Sequence, residues 1–246
     1  MWNDDEYQND PYPPASPRTY SYRAEYHGPR GFEHIPPPGY RMPRTSGQEI
    51  LDLFIAVAVL TVIFALAPLG GVWALIGAPL WLVAGLFGLA LVAVMLSIFP
   101  HELAHKFLAQ SYGYWAEFRR NDQFLLLSLF LSLFMGFGVA APGAVMIAGP
   151  VTMEKNGKIS AIGPATNGLM AAICFPVALF TGHIWWVQYL AAEIAWINIV
   201  LGVFNMLPFG ILDGAKVWKW SAAAYIGLLA LLITLGILIY RSGVYI

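Results

Sequence analysis

Five apolar runs, each long enough to cross a lipid bilayer, are distributed over the chain after Gly47. The first, Ile50–Ala67, has 18 residues and would extend about 27 Å as a helix. The other four are Pro79–Phe99, Ser160–Phe180, Trp185–Leu207 and Ser221–Tyr240. Only 11% of the 246 residues are charged, whereas a soluble domain has roughly 25%. We therefore predict an all-α polytopic membrane protein with about five to six transmembrane helices, the sixth being Phe124–Ala140 if that stretch crosses.

The first 47 residues have a different composition, with nine prolines and six tyrosines but no apolar period. Pro36-Pro37-Pro38 and the scattered charges predict a disordered tail and not a secretory signal, because the first apolar run begins late. We divide the chain into a cytoplasmic tail, residues 1–47, and a membrane-embedded domain, residues 48–246. The tail either docks onto a partner protein with an aromatic groove or is a solvated leader without a role.

Net charge and cysteine content argue against two classes of protein. The net charge is −1, whereas a nucleic-acid-binding protein would carry a basic patch or stripe. The single cysteine, Cys174, can form neither an internal disulfide nor a cysteine cluster around a metal.

The basic residues predict the orientation of the chain. If the tail is cytoplasmic and Phe124–Ala140 does not cross, twelve of the thirteen lysines and arginines lie on the cytoplasmic side, and Arg241 lies outside. If Phe124–Ala140 crosses, the four lysines between residues 155 and 219 move outside. The positive-inside rule favours the first arrangement.

The stretch Phe124–Gly149 is consequently predicted to be re-entrant, or a short helix followed by extended chain. Ala144–Ile147 is β-prone, and Asn156-Gly157 is a strong hairpin-turn signal just before Lys158-Ile159-Ser160. We expect a small β-hairpin at the cytoplasmic edge. The alternative is an ordinary loop between two crossings.

The sequence His101-Glu102-Leu103-Ala104-His105 follows the second apolar run almost directly. Histidines four residues apart lie on one face of a helix, a spacing that suits two imidazole ligands on one Zn²⁺. Glu102 projects to the side, where it can reach a water molecule on the metal. The alternative, two interfacial histidines beside a snorkelling glutamate, leaves an ionisable residue at membrane depth without a use.

A catalytic zinc usually has three protein ligands and a water molecule, so a third ligand is needed. Asp213 follows the Trp185–Leu207 run, which ends on the same side of the membrane as His101 in the orientation above. Pro208 breaks the helix and lets the aspartate turn inward. Taken alone, Asp213 would be better explained as a solvated helix cap.

Together these motifs resemble the site-2 protease family, whose members pair His-Glu-x-x-His after an apolar span with Asn-x-x-Pro-x-x-x-x-Asp-Gly, here Asn205 to Gly214. The segment Gly157–Asn167 also resembles the glycine-proline start of that family's next core helix. The resemblance covers about residues 79–219. One departure is Ile211, where many relatives have a second proline.

The resemblance implies a three-helix catalytic core, one zinc ion per chain, and transmembrane proteins as substrates within membrane lipid. His101, His105 and Asp213 would be the metal ligands, and Glu102 the general base. Asn205 would steady the substrate or the oxyanion. The edge of Ala144–Ile147 would pair with an unwound substrate.

Two other functions use the same residues. The first is an inactive relative that retains the fold, although an inactive protein would not need Glu102. The second is a metal transporter, for which paired broken helices in two repeated halves are expected; the sequence has no such repeat.

Overall fold

The computed structural model describes residues 45–66, 69–136, 142–210 and 212–244. Most of the predicted tail, and Ile211, lie outside these ranges. The helices are α1 (Gly47–Leu66), α2 (Leu80–Ser111), α3 (Asp122–Met135), α4 (Met153–Phe180), α5 (Trp185–Asn205), α6 (Asp213–Trp220) and α7 (Ala222–Arg241). The strands are β1 (Trp115–Arg120) and β2 (Gly143–Ala148), and a short 3-10 helix, Val72–Leu75, follows α1.

Five of these helices, α1, α2, α4, α5 and α7, are long and apolar enough to cross a membrane. Helix α3 has 14 residues and would extend about 21 Å, less than the roughly 30 Å of a hydrocarbon core. The prediction of an all-α membrane protein with a small β element is therefore confirmed.

The expected hairpin around Asn156-Gly157 is wrong. Both residues lie inside α4, which begins earlier than predicted because the Thr152 side chain accepts a hydrogen bond from the Lys155 amide and caps the helix. Gly157 does not form a turn but allows α4 to pack closely against α6, because a Cβ atom there would lie 2.2 Å from the Cβ of Trp220. Strand β2 pairs instead with β1, in an antiparallel ladder.

Helix α4 is the centre of the bundle and packs against α2, α5, α6 and α7. A second group of contacts joins α1 to α2, α3 and β1. The apolar core where α1 meets α2 includes Leu60, Ile63 and Val94, each 1% exposed or less. The sheet is thus attached to α1 and α2, and Val145 and Ile147 of β2 also pack in one apolar cluster with Ile159 of α4.

The hydrogen bonds of the sheet alternate in a way that defines its two outer edges. The Asn121 amide donates to the Pro142 carbonyl at 2.8 Å just beyond the ladder, and bonded pairs recur at every second position along an antiparallel ladder. The pair Phe118↔Val145 is therefore not bonded within the sheet. Consistent with this, the Phe118 amide donates outward, to Glu49 Oε1 at 2.9 Å.

By the same alternation, the free edge of β2 presents the backbone groups of Gly143, Val145 and Ile147. All three residues line a cavity between the sheet and helices α2, α4 and α5. The extended chain predicted from Ala144–Ile147 is thus present, and one edge of it faces that cavity.

Candidate metal centre

His101 and His105 lie one helical turn apart in α2, which continues without interruption through Pro100 to Ser111. Their rings are buried, with centroids 4.7 Å apart and planes at 83°. His101 comes 21 residues after the start of α2, which is about 32 Å of helix. If Leu80 marks one membrane surface, the histidines lie near the other.

Pro100 leaves one backbone carbonyl of α2 to be satisfied from a neighbouring helix. Proline has no amide hydrogen, so the carbonyl of Leu96 loses its usual partner in the helix. The Asn198 side chain lies 3.4 Å from that carbonyl, and Asn167 Nδ2 donates to the Ser97 carbonyl at 3.3 Å. Such replacement is required in a membrane, where water cannot supply the missing bond.

Asp213 is brought to the histidines by the close approach of two helix ends. It is the first residue of α6, and a Cβ atom on Gly214 would lie 2.2 Å from the carbonyl oxygen of Met206, just after α5. Only glycine permits that approach. Asp213 Oδ2 consequently lies 3.5 Å from His101 Nε2 and 3.0 Å from His105 Nε2.

The second nitrogen of each histidine ring has a partner that fixes the proton on it. His105 Nδ1 lies 2.6 Å from the carbonyl of Ile159, which can only accept a hydrogen bond. His101 Nδ1 lies 2.5 Å from Asn167 Oδ1. Asn167 donates through Nδ2 to the Ser97 carbonyl, so its oxygen is the atom that faces His101. In both neutral rings Nδ1 therefore carries the proton, and Nε2 offers a lone pair.

Three lone pairs thus converge on one point. His101 Nε2 and His105 Nε2 are 3.0 Å apart, and Asp213 Oδ2 completes a triangle with them. Without a cation these three acceptors would repel one another in a buried site. Atoms that are each about 2.0–2.1 Å from one ion in tetrahedral geometry lie about 3.3 Å apart. The three residues can therefore hold one metal ion, and a set of two histidines and one carboxylate is typical of catalytic zinc.

The other carboxylate oxygen of Asp213 faces Lys216, whose Nζ lies 3.8 Å from Oδ1. Burial raises the pKa of the Asp213 carboxyl, whereas the positive charge of Lys216 lowers it and favours the ionised form. Asp213 is consequently ionised, as a metal ligand must be.

Glu102 and Asn205, which the resemblance implies for catalysis, line the same cavity of about 100 Å³ as the three ligands. Glu102 is buried. Asn205 is half-buried at the end of α5, and its Nδ2 donates to the Leu201 carbonyl at 3.0 Å. The structure therefore brings all five predicted residues to one cavity, and their roles remain predictions.

Several residues of the centre do not follow from the sequence motifs. Asn167 and Asn198 form a buried chain of hydrogen bonds that leads from Ser97 to His101. Gly163 lies directly against the rings, and a Cβ atom there would be 2.3 Å from His105 Nε2 and 2.7 Å from His101 Cε1. In the sequence, Pro100 indicates that donors such as these asparagines are needed, because a proline inside a transmembrane helix requires a hydrogen-bond donor from another helix.

Comparisons with known proteins agree with this centre. The model of peptidase family M50 matches residues 182–229, which include α5, α6 and Asp213. The chain is 36% identical, over 182 residues, to a protein of Methanocaldococcus jannaschii that is named "Putative zinc metalloprotease". The match covers 72% of this chain and 87% of that relative. No solved structure shows a significant match.

A bundle of membrane-length helices that holds His-Glu-x-x-His and a distant aspartate around one centre defines a metallopeptidase of the membrane. The chain belongs to peptidase family M50, the site-2 protease family. The predicted cofactor, zinc, agrees with both the donor set and the family.

Proposed function

We propose that the chain is an intramembrane endopeptidase that hydrolyses peptide bonds in or near the transmembrane segments of other membrane proteins. The observation that carries this proposal is the position of the centre. His101 and His105 lie in a helix of membrane-spanning length, and their cavity is bounded by further spans and by the free edge of a strand. Substrates would therefore reach the site from within the membrane.

Hydrolysis needs a proton acceptor beside the metal, and Glu102 is placed for that role. Zinc, when held by His101, His105 and Asp213, polarises the scissile carbonyl and lowers the pKa of water toward 7. Glu102 takes a proton from the attacking water and delivers it to the leaving amine. Asn205 has a second amide hydrogen beyond the one given to Leu201, and this hydrogen is donated to the oxyanion.

The substrate must be unwound before it can be cut, because the peptide groups of a helix are hydrogen-bonded to one another. The free edge of β2 offers replacement partners. We assign substrate pairing to the backbone groups of Gly143, Val145 and Ile147, which face the cavity and would receive the substrate as an added strand.

The orientation is part of the proposal and rests on the basic residues. Lys216 of α6 lies 3.8 Å from Asp213 Oδ1, and Lys155 at the start of α4 lies over the ring of Tyr112, just after α2. The arginines of β1 follow the same end of α2, so these basic residues lie at the end of the bundle that holds the metal ligands. By the positive-inside rule this end, the N-terminus and the opening of the cavity face the cytoplasm.

The test uses the purified full chain in liposomes with a single-span test protein that carries a different tag at each end. We expect one cut in or near the span, loss of cutting after zinc is removed by a chelator, and recovery when zinc is returned. A soluble unfolded protein serves as the comparison substrate. Cutting of the soluble protein with none of the span would contradict the proposal, and zinc binding without any cutting would support the inactive-relative alternative instead.

A further inference from the structure

A buried ion pair next to the metal centre has no part in the chemistry proposed above. Lys106 directly follows the ligand His105 and is 2% exposed, and its Nζ lies 2.5 Å from Oε2 of Glu49, which is fully buried. Lys106 also donates to Thr45 Oγ1 at 2.8 Å. Burying two charges costs free energy that their attraction barely recovers, so this pair is a poor device for stability alone.

The contacts of Glu49 suggest what the pair does. Its second oxygen, Oε1, accepts the Phe118 amide of β1 at 2.9 Å. Glu49 therefore occupies the outer edge of β1 as a neighbouring strand would. Gln110 of α2 makes a second bond to this edge, from Nε2 to the Ala116 carbonyl at 3.1 Å. The two side chains hold the sheet against α1 and α2.

A continuous path consequently joins the metal centre to the strand that faces the cavity. It runs from His105 to Lys106 along α2, across the ion pair to Glu49, from Glu49 to the Phe118 amide, and across the sheet to Val145, the register partner of Phe118. Within the described residues, β1 is the strand to which β2 is bonded. The position of β2 relative to the metal ligands therefore depends on how β1 is attached to α1 and α2.

We propose that Glu49 and Lys106 are positioning residues that fix the β1–β2 sheet relative to the metal ligands, and so select which peptide bond of the substrate is cut. The inference rests on the proposed pairing of substrate with β2. Residues of a strand are about 3.3 Å apart. A displacement of the sheet by that distance along the substrate presents the neighbouring peptide bond to the centre.

The experiment reads the position of the cut, which a purely structural role would not change. Glu49→Leu combined with Lys106→Met removes both charges together and leaves side chains of similar volume, a replacement that buried ion pairs often tolerate. It also removes the acceptor of the Phe118 amide. Glu49→Gln combined with Lys106→Met removes the same charges but keeps that acceptor. Each variant is purified as the full chain, and the ends of the products from the single-span test protein are determined by mass spectrometry.

We expect the double variant with Glu49→Leu to retain zinc and to yield new product ends one or two residues from the parent position. The double variant with Glu49→Gln should cut mainly at the parent position. Leu60→Ala is the matched control, since Leu60 lies in the core on the same helix α1 and its loss should lower the amount of active protein without moving the cut. If Glu49→Leu with Lys106→Met lowers activity but leaves the cut at the parent bond, as Leu60→Ala does, the positioning role is overturned.

A second probe covers the case in which the paired substitutions prevent folding. Replacing Phe118 by its α-hydroxy acid analogue exchanges the amide N–H for an ester oxygen. This change removes the donor to Glu49, weakens the Glu117 carbonyl as an acceptor, and leaves the ion pair in place. New product ends would support the inference, and an unmoved cut would overturn it. Failure of the proposed function is distinguishable, because then the parent protein itself would leave the test protein intact.

Discussion

His101 Nδ1 and Asn167 Oδ1 lie 2.5 Å apart, and this contact connects a predicted metal ligand in α2 to the centre of the bundle in α4. The asparagine oxygen holds the ring proton on Nδ1 and turns Nε2 toward Asp213 and His105. Asn167 is itself held by Asn198 Oδ1 at 2.8 Å. The orientation of the ligand is thus determined by residues of three helices.

Loss of the Asn167 side chain should therefore weaken metal binding. We expect Asn167→Ala to lower zinc affinity about 10–100-fold, the usual effect of removing a hydrogen-bond partner from a ligating histidine. Titration of the purified protein against a chelator of known affinity measures this. Thr166→Ala is the control, because Thr166 is half-buried in the same helix and bonds the Ile162 carbonyl of its own helix. Equal affinities of the two variants would count against the role of Asn167.

Gly163→Ala should damage the centre by crowding. The added methyl group would lie 2.3 Å from His105 Nε2, in the space that the ligand atom and its metal require. We expect zinc affinity to fall at least about tenfold, by analogy with the loss of an orienting partner. Gly88→Ala in α2 meets nothing within 4 Å and should bind zinc as the parent does. Normal zinc content in Gly163→Ala would show that the rings can move aside.

The sequence predicts the centre well because its signals are local or follow from the order of the spans. The prediction of the two histidine ligands requires only the helical period. The prediction of Asp213 requires only that two spans end on the same side of the membrane. Asn167 and Gly163 depend on how α4 packs against α2, some 60 residues away along the chain, and no local pattern reports that packing. The same cause explains the wrong hairpin, since contact with Trp220 and the cap at Thr152 prevail over the turn preference of Asn156-Gly157. Lys106 is one of the twelve basic residues predicted to lie on the cytoplasmic side, and the sequence does not indicate that it is buried against Glu49.

Pairing of the substrate with β2 predicts a difference between adjacent positions of that strand. The Val145 amide faces the free edge, so Val145→Pro should leave the sheet intact, and the protein should still bind zinc. It should lower kcat/KM about two- to tenfold, the usual net value of one hydrogen bond. The Ala144 amide faces β1 by the alternation of the ladder, so Ala144→Pro should disturb the sheet itself. Unchanged cleavage by Val145→Pro, or loss of its zinc, would argue against substrate pairing at this edge.

The orientation can be measured by labelling. In a Cys174→Ala background, single cysteines at Glu154 and Gly182, both exposed, should react with a membrane-impermeant maleimide from opposite sides of the membrane. We expect Glu154→Cys to react from the cytoplasmic side, because it lies at the start of α4 next to Lys155 and Lys158. Labelling of both positions from the same side would show that α4 does not cross the membrane and would contradict the proposed orientation.

The central claim is that His101, His105 and Asp213 hold the metal while Glu102 transfers the proton. Glu102→Gln keeps the size of the side chain but cannot accept a proton, whereas Asp213→Ala removes a ligand. The decisive measurement is zinc content beside cleavage of the single-span test protein, for both purified variants. We predict that Glu102→Gln binds one zinc ion per chain. Asp213→Ala should lose zinc affinity by about two orders of magnitude or more, because a residue that binds the metal directly should matter at least as much as the hydrogen-bond partners of the ligands. Both variants should fail to cleave. Zinc bound by Asp213→Ala as tightly as by the parent would refute the third ligand, and cleavage by Glu102→Gln at the parent rate would contradict the account as a whole.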